Sequence, residues 1–193
     1  MALNNRYYGL RHGRSRANEA GIIVSDPSVG TVRWGLSDFG RNQVKEGVEK
    51  SSLDENTIIV SSDFLRTWET ALLTAEVLGC EPPRKDIRLR ERFFGNYEEK
   101  DNTHYKLVWA EDIKNGGNTL EGVESPEAVK NRFGSLIEEL EQDYQDKDII
   151  LVSHGDALQI GQTWFEGKEA RIHRSLDHLD TGEVRRLDRP KSP

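Results

Sequence analysis

The chain has a single cysteine, so Cys80 has no partner within it and an internal disulfide is excluded. That suits a reducing compartment, and Cys80, beside Gly79 at an expected helix end, sits in no pattern of a reactive thiolate. No apolar stretch approaches the roughly 20 residues that span a bilayer, and no signal-peptide pattern is visible. A soluble cytoplasmic protein with no membrane partner is therefore the expectation. Positive charge is also short: 27 Lys and Arg against 34 Asp and Glu leave a net charge of -7. Affinity for a phosphate backbone needs a basic face, so nucleic acid is not an expected partner and any anion pocket must be a local basic patch. Repeats and low-complexity tracts are absent as well.

What is present fits one domain of 193 residues with a sizeable core, alone or with a small inserted cap. Charged residues make up 32% and the mean hydropathy is -0.73, so the surface is strongly solvated and the strands must come from short apolar runs such as 58–60 and 149–152. The spacing predicts strands over 6–11, 57–61, 87–90, 148–153 and 183–187, with a loop at 13–36. Helices are predicted over 37–50, 64–78, 126–144 and 156–165, with an irregular or helical insert at 92–122. Leu65, Trp68, Leu72, Ala75 and Leu78 keep helical spacing before Gly79; Ser125-Pro126 offers a cap and a first-turn proline before Val129, Phe133, Leu136, Ile137, Leu140 and Tyr144. Gly40 and Gly47 weaken the helix at 37–50, whose apolar side is only Val44 and Val48. Lys114-Asn115-Gly116-Gly117-Asn118 is a turn cluster, and the tail 189–193 is expected to be loose. Strands alternating with helices imply an α/β fold with a mostly parallel sheet.

Four segments carry chemistry. Arg11-His12-Gly13-Arg14-Ser15-Arg16-Ala17-Asn18 sets a guanidinium, an imidazole, a permissive glycine, a hydroxyl and an amide at a strand end, a set suited to a phosphoryl group. Alone, Arg-His-Gly reads more readily as a polar surface turn. Arg66, in the first turn of the helix after Ser61-Ser62-Asp63-Phe64-Leu65, is matched to the positive helix end only if an anion sits there. The alternative is a solvated charge paired with Asp63 or Glu69, worth about 0–1 kcal/mol. Glu91, within Leu89-Arg90-Glu91-Arg92-Phe93-Phe94-Gly95, is a general-acid candidate if its aromatic neighbours desolvate it, with Glu98 and Glu99 as rivals and a surface glutamate as the plain reading. His154 in Ser153-His154-Gly155 stands at another strand end, as a second anion-facing imidazole or as a structural histidine. His173 and His178 with Asp177 and Asp180 lack metal-site spacing and are read as structural or exposed.

In this order the segments resemble the histidine phosphatase superfamily, also called phosphoglycerate-mutase-like. The family's Arg-His-Gly-x-Ser/Thr-x-x-Asn pattern is matched by Arg11, His12, Gly13, Ser15 and Asn18, and its Leu-x-x-x-Gly-x-x-Gln by Leu36, Gly40 and Gln43. Arg66 matches the arginine after a Ser-x-Leu-type turn, Glu91 the acid of Leu-x-Glu-x-x-x-Gly between Leu89 and Gly95, and Ser153-His154-Gly155 the closing motif. The resemblance implies a three-layer α/β sandwich with a central, mostly parallel mixed sheet, forming one domain over 1–193 with a cap-like insert at about 92–125. It also implies His12, Glu91 and His154 as catalytic, and Arg11, Arg66, Ser15, Asn18 and Gly155 as phosphate-binding. A small-molecule phosphoester is the implied substrate, with no metal or other cofactor.

Arg14, with Arg16 close by, stands where the family often has an acidic residue or glutamine, which suggests a more anionic substrate. Asp156 replaces the small residue often found after the closing His-Gly, as a carboxylate that repels phosphate, orients a histidine or rivals Glu91 as proton donor. Gly122-Val123-Glu124-Ser125 resembles the family's Gly-Glu-Ser helix start with one residue inserted, so Glu124 and Ser125 are read as helix-start residues. Aromatics Trp34, Phe93, Phe94, Tyr97, Tyr105 and Trp109 fit a pocket lining or a core equally well. Mutases of the family carry extra arginines in the insert, whereas 96–125 holds only Lys100, Lys106 and Lys114, which favours hydrolysis. A small mutase and a non-catalytic phospholigand-binding module are the alternatives; nothing in the residues indicates an oligomeric state.

Overall fold

The structure is a computed structural model and describes residues 3–188; the tail 189–193, expected above to be loose, lies outside them. In chain order the elements are β1 (Arg6–Arg11), α1 (Arg16–Ala20), α2 (Pro27–Gly30), α3 (Asp38–Glu49), β2 (Ile58–Ser61), α4 (Leu65–Leu78) and β3 (Arg84–Lys85). There follow α5 (Tyr105–Asp112), α6 (Pro126–Asp143), β4 (Asp148–Ser153), α7 (Gly155–Phe165) and β5 (Val184–Arg186), with short 3-10 turns between them. The sheet order is β3-β2-β4-β1-β5, parallel throughout except for β5, which runs antiparallel to β1.

The unbroken apolar run of β4 follows from its central place, because both of its faces are covered. Ile149 and Leu151 point into one cluster with Phe133, Leu136, Ile137 and Leu140 of α6 and Leu158 of α7. Ile150 and Val152 point the other way, into Val44 and Val48 of α3 and Ala71 and Leu73 of α4. The result is a three-layer α/β sandwich. A third cluster, Ile23, Phe94, Val108 and Val123, ties residues 92–125 to the loop after β1, where Ile22 also bridges Asp101. Among the described residues no helix is long and apolar enough to cross a membrane.

Three local expectations need correction. The strand expected at 87–90 is a 3-10 turn, Ile87–Leu89, and the edge strand is the two-residue Arg84–Lys85, whose charged residues carry no strand pattern. The loop at 13–36 contains two short helices, each opened by a capping side chain, Ser15 and Asp26. In α4 the apolar stripe is only part of the buried side: Trp68, Ala75 and Leu78 pack on the core, but Leu72 is 46% exposed, while Thr67, Thr70 and Thr74 are buried. Their hydroxyls donate to the carbonyls of Phe64, Arg66 and Thr70, so each polar group is satisfied in the preceding turn. The helix-weakening Gly40 also has a reason. A Cβ there would meet the Arg14 carbonyl oxygen at 2.1 Å, and one on Gly13 would meet that of Gly40 at 2.2 Å, so α3 lies backbone to backbone against the loop that follows His12.

Candidate active site

The four segments meet at the carboxyl edge of the sheet, where open α/β folds place ligands. Register pairs Arg11 of β1 with Ser153 of β4 and Ser61 of β2 with Val152, so residues 12, 62 and 154 leave three adjacent strands side by side. Arg11, His12, Ser15, Asn18, Arg66, Glu91 and Gly155 line one cleft of about 200 Å³. His154 lies behind that wall, fully buried, with its ring centroid 5.3 Å from that of His12. The amino ends of α4 and α7 both open toward this edge, adding partial positive charge.

The two imidazoles differ in state and orientation. His12 Nδ1 lies 2.7 Å from the Gly13 carbonyl, which only accepts, so Nδ1 bears the hydrogen and Nε2 the lone pair. Burial and then the positive charges of Arg66 and Arg11 hold His12 well below the usual histidine range, so the ring is neutral. In His154 the Ser62 hydroxyl is 3.0 Å from Nε2, and its hydrogen has no other acceptor among the described residues, so it donates to the ring and leaves the hydrogen on Nδ1. That Nδ1 is buried and unpaired, as are Arg11 Nε and Arg66 Nη1. Buried donors without acceptors are rare and costly. Two of them belong to cleft-lining arginines and the third stands behind the wall, and with the lone pair of His12 beside them they make a receptor for an anion.

Arg66 is not the solvated charge of the plain reading. It is 4% exposed, and its Nε donates to His12 Nε2 at 3.1 Å and its Nη2 to the Val24 carbonyl. Asp63 pairs with Arg90, and Glu69 with Arg41, so neither is its partner. Glu91, 8% exposed, accepts from the amides of Arg92 and Ala157, both on Oε1. Burial and then nearby Asp156 push its carboxyl up to about 7, against the opposing pull of Arg66. Glu98, a rival acid, is turned to the amide and hydroxyl of Ser25.

Ser15 and Asn18 are brought to the cleft but are engaged with each other. Ser15 Oγ accepts from Asn18 N and donates to Asn18 Oδ1, a reciprocal cap of α1, so Asn18 has its amide nitrogen left for a ligand. At Gly155 a Cβ would approach Arg11 Cζ and His178 Cε1 to 3.1 Å, so the bare backbone lets Arg11 fold across the helix start. Arg14 and Arg16 are not cleft residues: Arg16 lines a separate depression with Arg33, Trp34 and Arg41.

Several cleft residues escaped the sequence reading. Arg174 and His178 come from the stretch after α7, and Asn102 from the insert, beside Tyr105 and Trp109. Arg174 lies over Trp109 at 3.7 Å and donates to Gln159 Oε1. His178 faces Arg11 Nη1 and is held at about 4 by burial and by Arg11. The pair His173 and His178 therefore points to two different places, the former inward to Asp112 and Asp156. No sequence pattern marks Arg174, which sits in a 3-10 helix, Ala170–Ser175, too short to show a periodicity.

The sequence pattern of the histidine phosphatase superfamily (branch 1) matches residues 7–192. A glucosyl-3-phosphoglycerate phosphatase of Mycobacterium tuberculosis is 30% identical over 164 residues, 77% of this chain and 70% of its own length. A probable phosphoglycerate mutase GpmB of Serratia proteamaculans is 29% identical, covering 96% and 86%. A metal-independent phosphoserine phosphatase of Arabidopsis thaliana is 26% identical, covering 88% and 74%. Among solved structures, a native mycobacterial glucosyl-3-phosphoglycerate phosphatase superimposes with a TM-score of 0.77 at 23% identity, over 95% of this chain and 88% of that one, a likeness of fold.

Proposed function

The chain belongs to the histidine phosphatase superfamily, branch 1, and is a phosphomonoester hydrolase; on that premise we propose the residues that do the work and the kind of ester they take. The observation that supports the assignment is the neutral His12 ring, with Nε2 as its lone pair, surrounded by the unpaired donors Arg11 Nε, Arg66 Nη1 and His154 Nδ1.

The phosphoryl oxygens take those three donors, and Arg66 moves from His12 Nε2 onto phosphate. His12 Nε2 attacks phosphorus as the ester P–O bond breaks, and protonated Glu91 gives its proton to the departing oxygen. Glu91, now ionised, takes a proton from water as that water attacks the phosphohistidine, which returns both residues to their first state and releases phosphate. Preorganised guanidinium and imidazole donors carry the charge of the transition state. Ser15 acts through Asn18, by holding α1 in place, and Gly155 acts through backbone and through the room it leaves for Arg11. Residues 92–125 act as a cap that brings Asn102, Tyr105 and Trp109 over the cleft.

Glu91→Gln tests this scheme. Hydrolysis of an alkyl phosphate should fall by roughly 10²- to 10⁴-fold, and that of an aryl phosphate with a good leaving group by much less. Equal losses on both would remove Glu91 from the proton donor's role.

The cleft is smaller than the ~300 Å³ at which drug-sized sites begin, which favours a small ester. Arg174 supplies a further cation to the cleft lining, over Trp109, so the leaving group carries a second acidic function, as do the acids named in the Mycobacterium tuberculosis and Arabidopsis thaliana relatives. Arg174→Ala should raise KM for carboxylate-bearing phosphoesters by about 10-fold, the worth of one charge-assisted hydrogen bond, and leave uncharged esters as they were. A uniform rise across both kinds would show that Arg174 only shapes the wall.

A further inference from the structure

Beside the cleft lies a fully buried group of charges that the scheme above does not use. Arg92 grips Asp112 of α5 with two hydrogen bonds of 2.6 and 2.8 Å and reaches Asp156 at 3.3 Å. Asp156, at the start of α7, also accepts from Trp109 Nε1 at 2.9 Å, and His173 Nε2 stands 3.5 Å from it. The chain interlocks here. Glu91 accepts from the amides of Arg92 and Ala157, the residues next to it and next to Asp156, while Asp156 takes the Arg92 side chain.

Two carboxylates thus border one cleft with unequal support. Burial works against the charge on Asp156, yet His173, Arg92 and Arg174 hold it well below the usual carboxylate range, so it is ionised. Glu91 is faced by Arg66 from α4 and Arg11 from β1, which favour its ionised form, by Tyr105 from α5, and by Asp156 from α7, which opposes ionisation. Where neighbours drive two acids apart in this way, one serves as the proton donor and the other as a fixed charge.

We propose that Asp156 is a positioning residue whose locked negative charge keeps the proton on Glu91, and that Trp109 of the insert helps to lock it. This rests on Glu91 being the proton donor, and it explains why a carboxylate is tolerated one residue from the phosphate-facing helix start: both oxygens of Asp156 are engaged, by Arg92 and by Trp109, with His173 beside them.

The test is kcat/KM for an alkyl phosphate as a function of pH, corrected for the ester's own second ionisation at about pH 6, so that what remains reports the free enzyme. The wild-type protein should lose activity above a limb near 7, set by Glu91. In Asp156→Asn and Asp156→Ala the limb should move down by roughly one pH unit, a tenfold loss of the protonated form above it. Arg92 keeps Asp112 in both variants, so no buried cation is stranded. An unmoved limb in folded variants would leave Asp156 as a tie between insert and core. A carbon-13 titration of wild-type carboxyls, assigned with Glu91→Gln, tests without any Asp156 variant the premise that Asp156 is ionised while Glu91 holds its proton. Glu91 should be the later of the two to lose its proton, and the reverse order would overturn the proposal. A wild-type limb in Glu91→Gln would instead remove the proton-donor reading itself.

Discussion

His12→Ala should abolish phosphate release, with kcat down on the order of 10⁴- to 10⁶-fold, as expected when a nucleophile is removed from a set of groups that act together. The same variant should yield no acid-labile phosphoprotein after brief exposure to substrate, whereas the wild-type protein should. Both measurements belong in chelator, so that adventitious metal chemistry does not supply a background rate. His154→Ala separates the two rings. Its loss should come from weaker phosphate binding and transition-state stabilisation, with a phosphohistidine still formed. The asymmetry is geometric: His12 reaches the cleft with its Nδ1 tied to its own loop, whereas His154 stands behind with Nε2 tied to Ser62. Wild-type turnover in His12→Ala would take the nucleophile away from this ring and return attention to His154.

Much of this arrangement is legible in the chain because it repeats one device, an apolar strand that ends in a polar residue at the sheet edge. Strands at Arg6–Arg11 and Asp148–Ser153 follow directly from their runs, and α6 from a Ser125 cap, Pro126 and five apolar residues that are all buried. The apolar pattern fails where burial is achieved by hydrogen bonds. Thr67, Thr70 and Thr74 of α4 are inside, satisfied by local carbonyls, and Thr70 Oγ1 also accepts from Gly13 N to steady the loop after His12. The apolar Leu89 fits the strand expected at 87–90, but it is buried from a 3-10 turn, and the neighbouring strand is two charged residues recognisable only by pairing with Val60 and Ser61. Arg92, Asp112, Asp156 and His173 were the least legible. Arg92 and Asp112 carry no pattern, His173 lacks metal-site spacing and Asp156 stands out only as a departure from the family motif, and only their mutual contacts reveal a buried group drawn from four separate stretches of chain.

That buried group sets the second large expectation, which concerns stability. Arg92→Met keeps much of the volume but removes every charged donor from Arg92 to Asp112 and Asp156. What remains is Asn118 Nδ2 on Asp112, Trp109 Nε1 on Asp156, and His173 between them. Breaking a buried pair from one side leaves an uncompensated charge, at a cost of about 3–5 kcal/mol. Against the roughly 5–15 kcal/mol that holds a domain together, that is a large share, equivalent to about 6–20 °C in Tm for a chain of this size. The pH dependence identifies the cause. In the wild-type protein the depressed Asp156 contributes stability above its unfolded pKa, and this is lost as pH falls through its lower folded value. In Arg92→Met Asp156 has lost one of the cations that hold its carboxyl down, so its value rises from that of the wild-type protein and the deficit should shrink from pH 8 to pH 5. A loss of Tm that is the same at both pH values would assign the damage to packing against Phe94, over which the guanidinium lies at 5.4 Å, and not to charge. Asp112→Asn in the Arg92→Met background should recover part of the loss, because it removes one of the stranded charges that Arg92 had balanced.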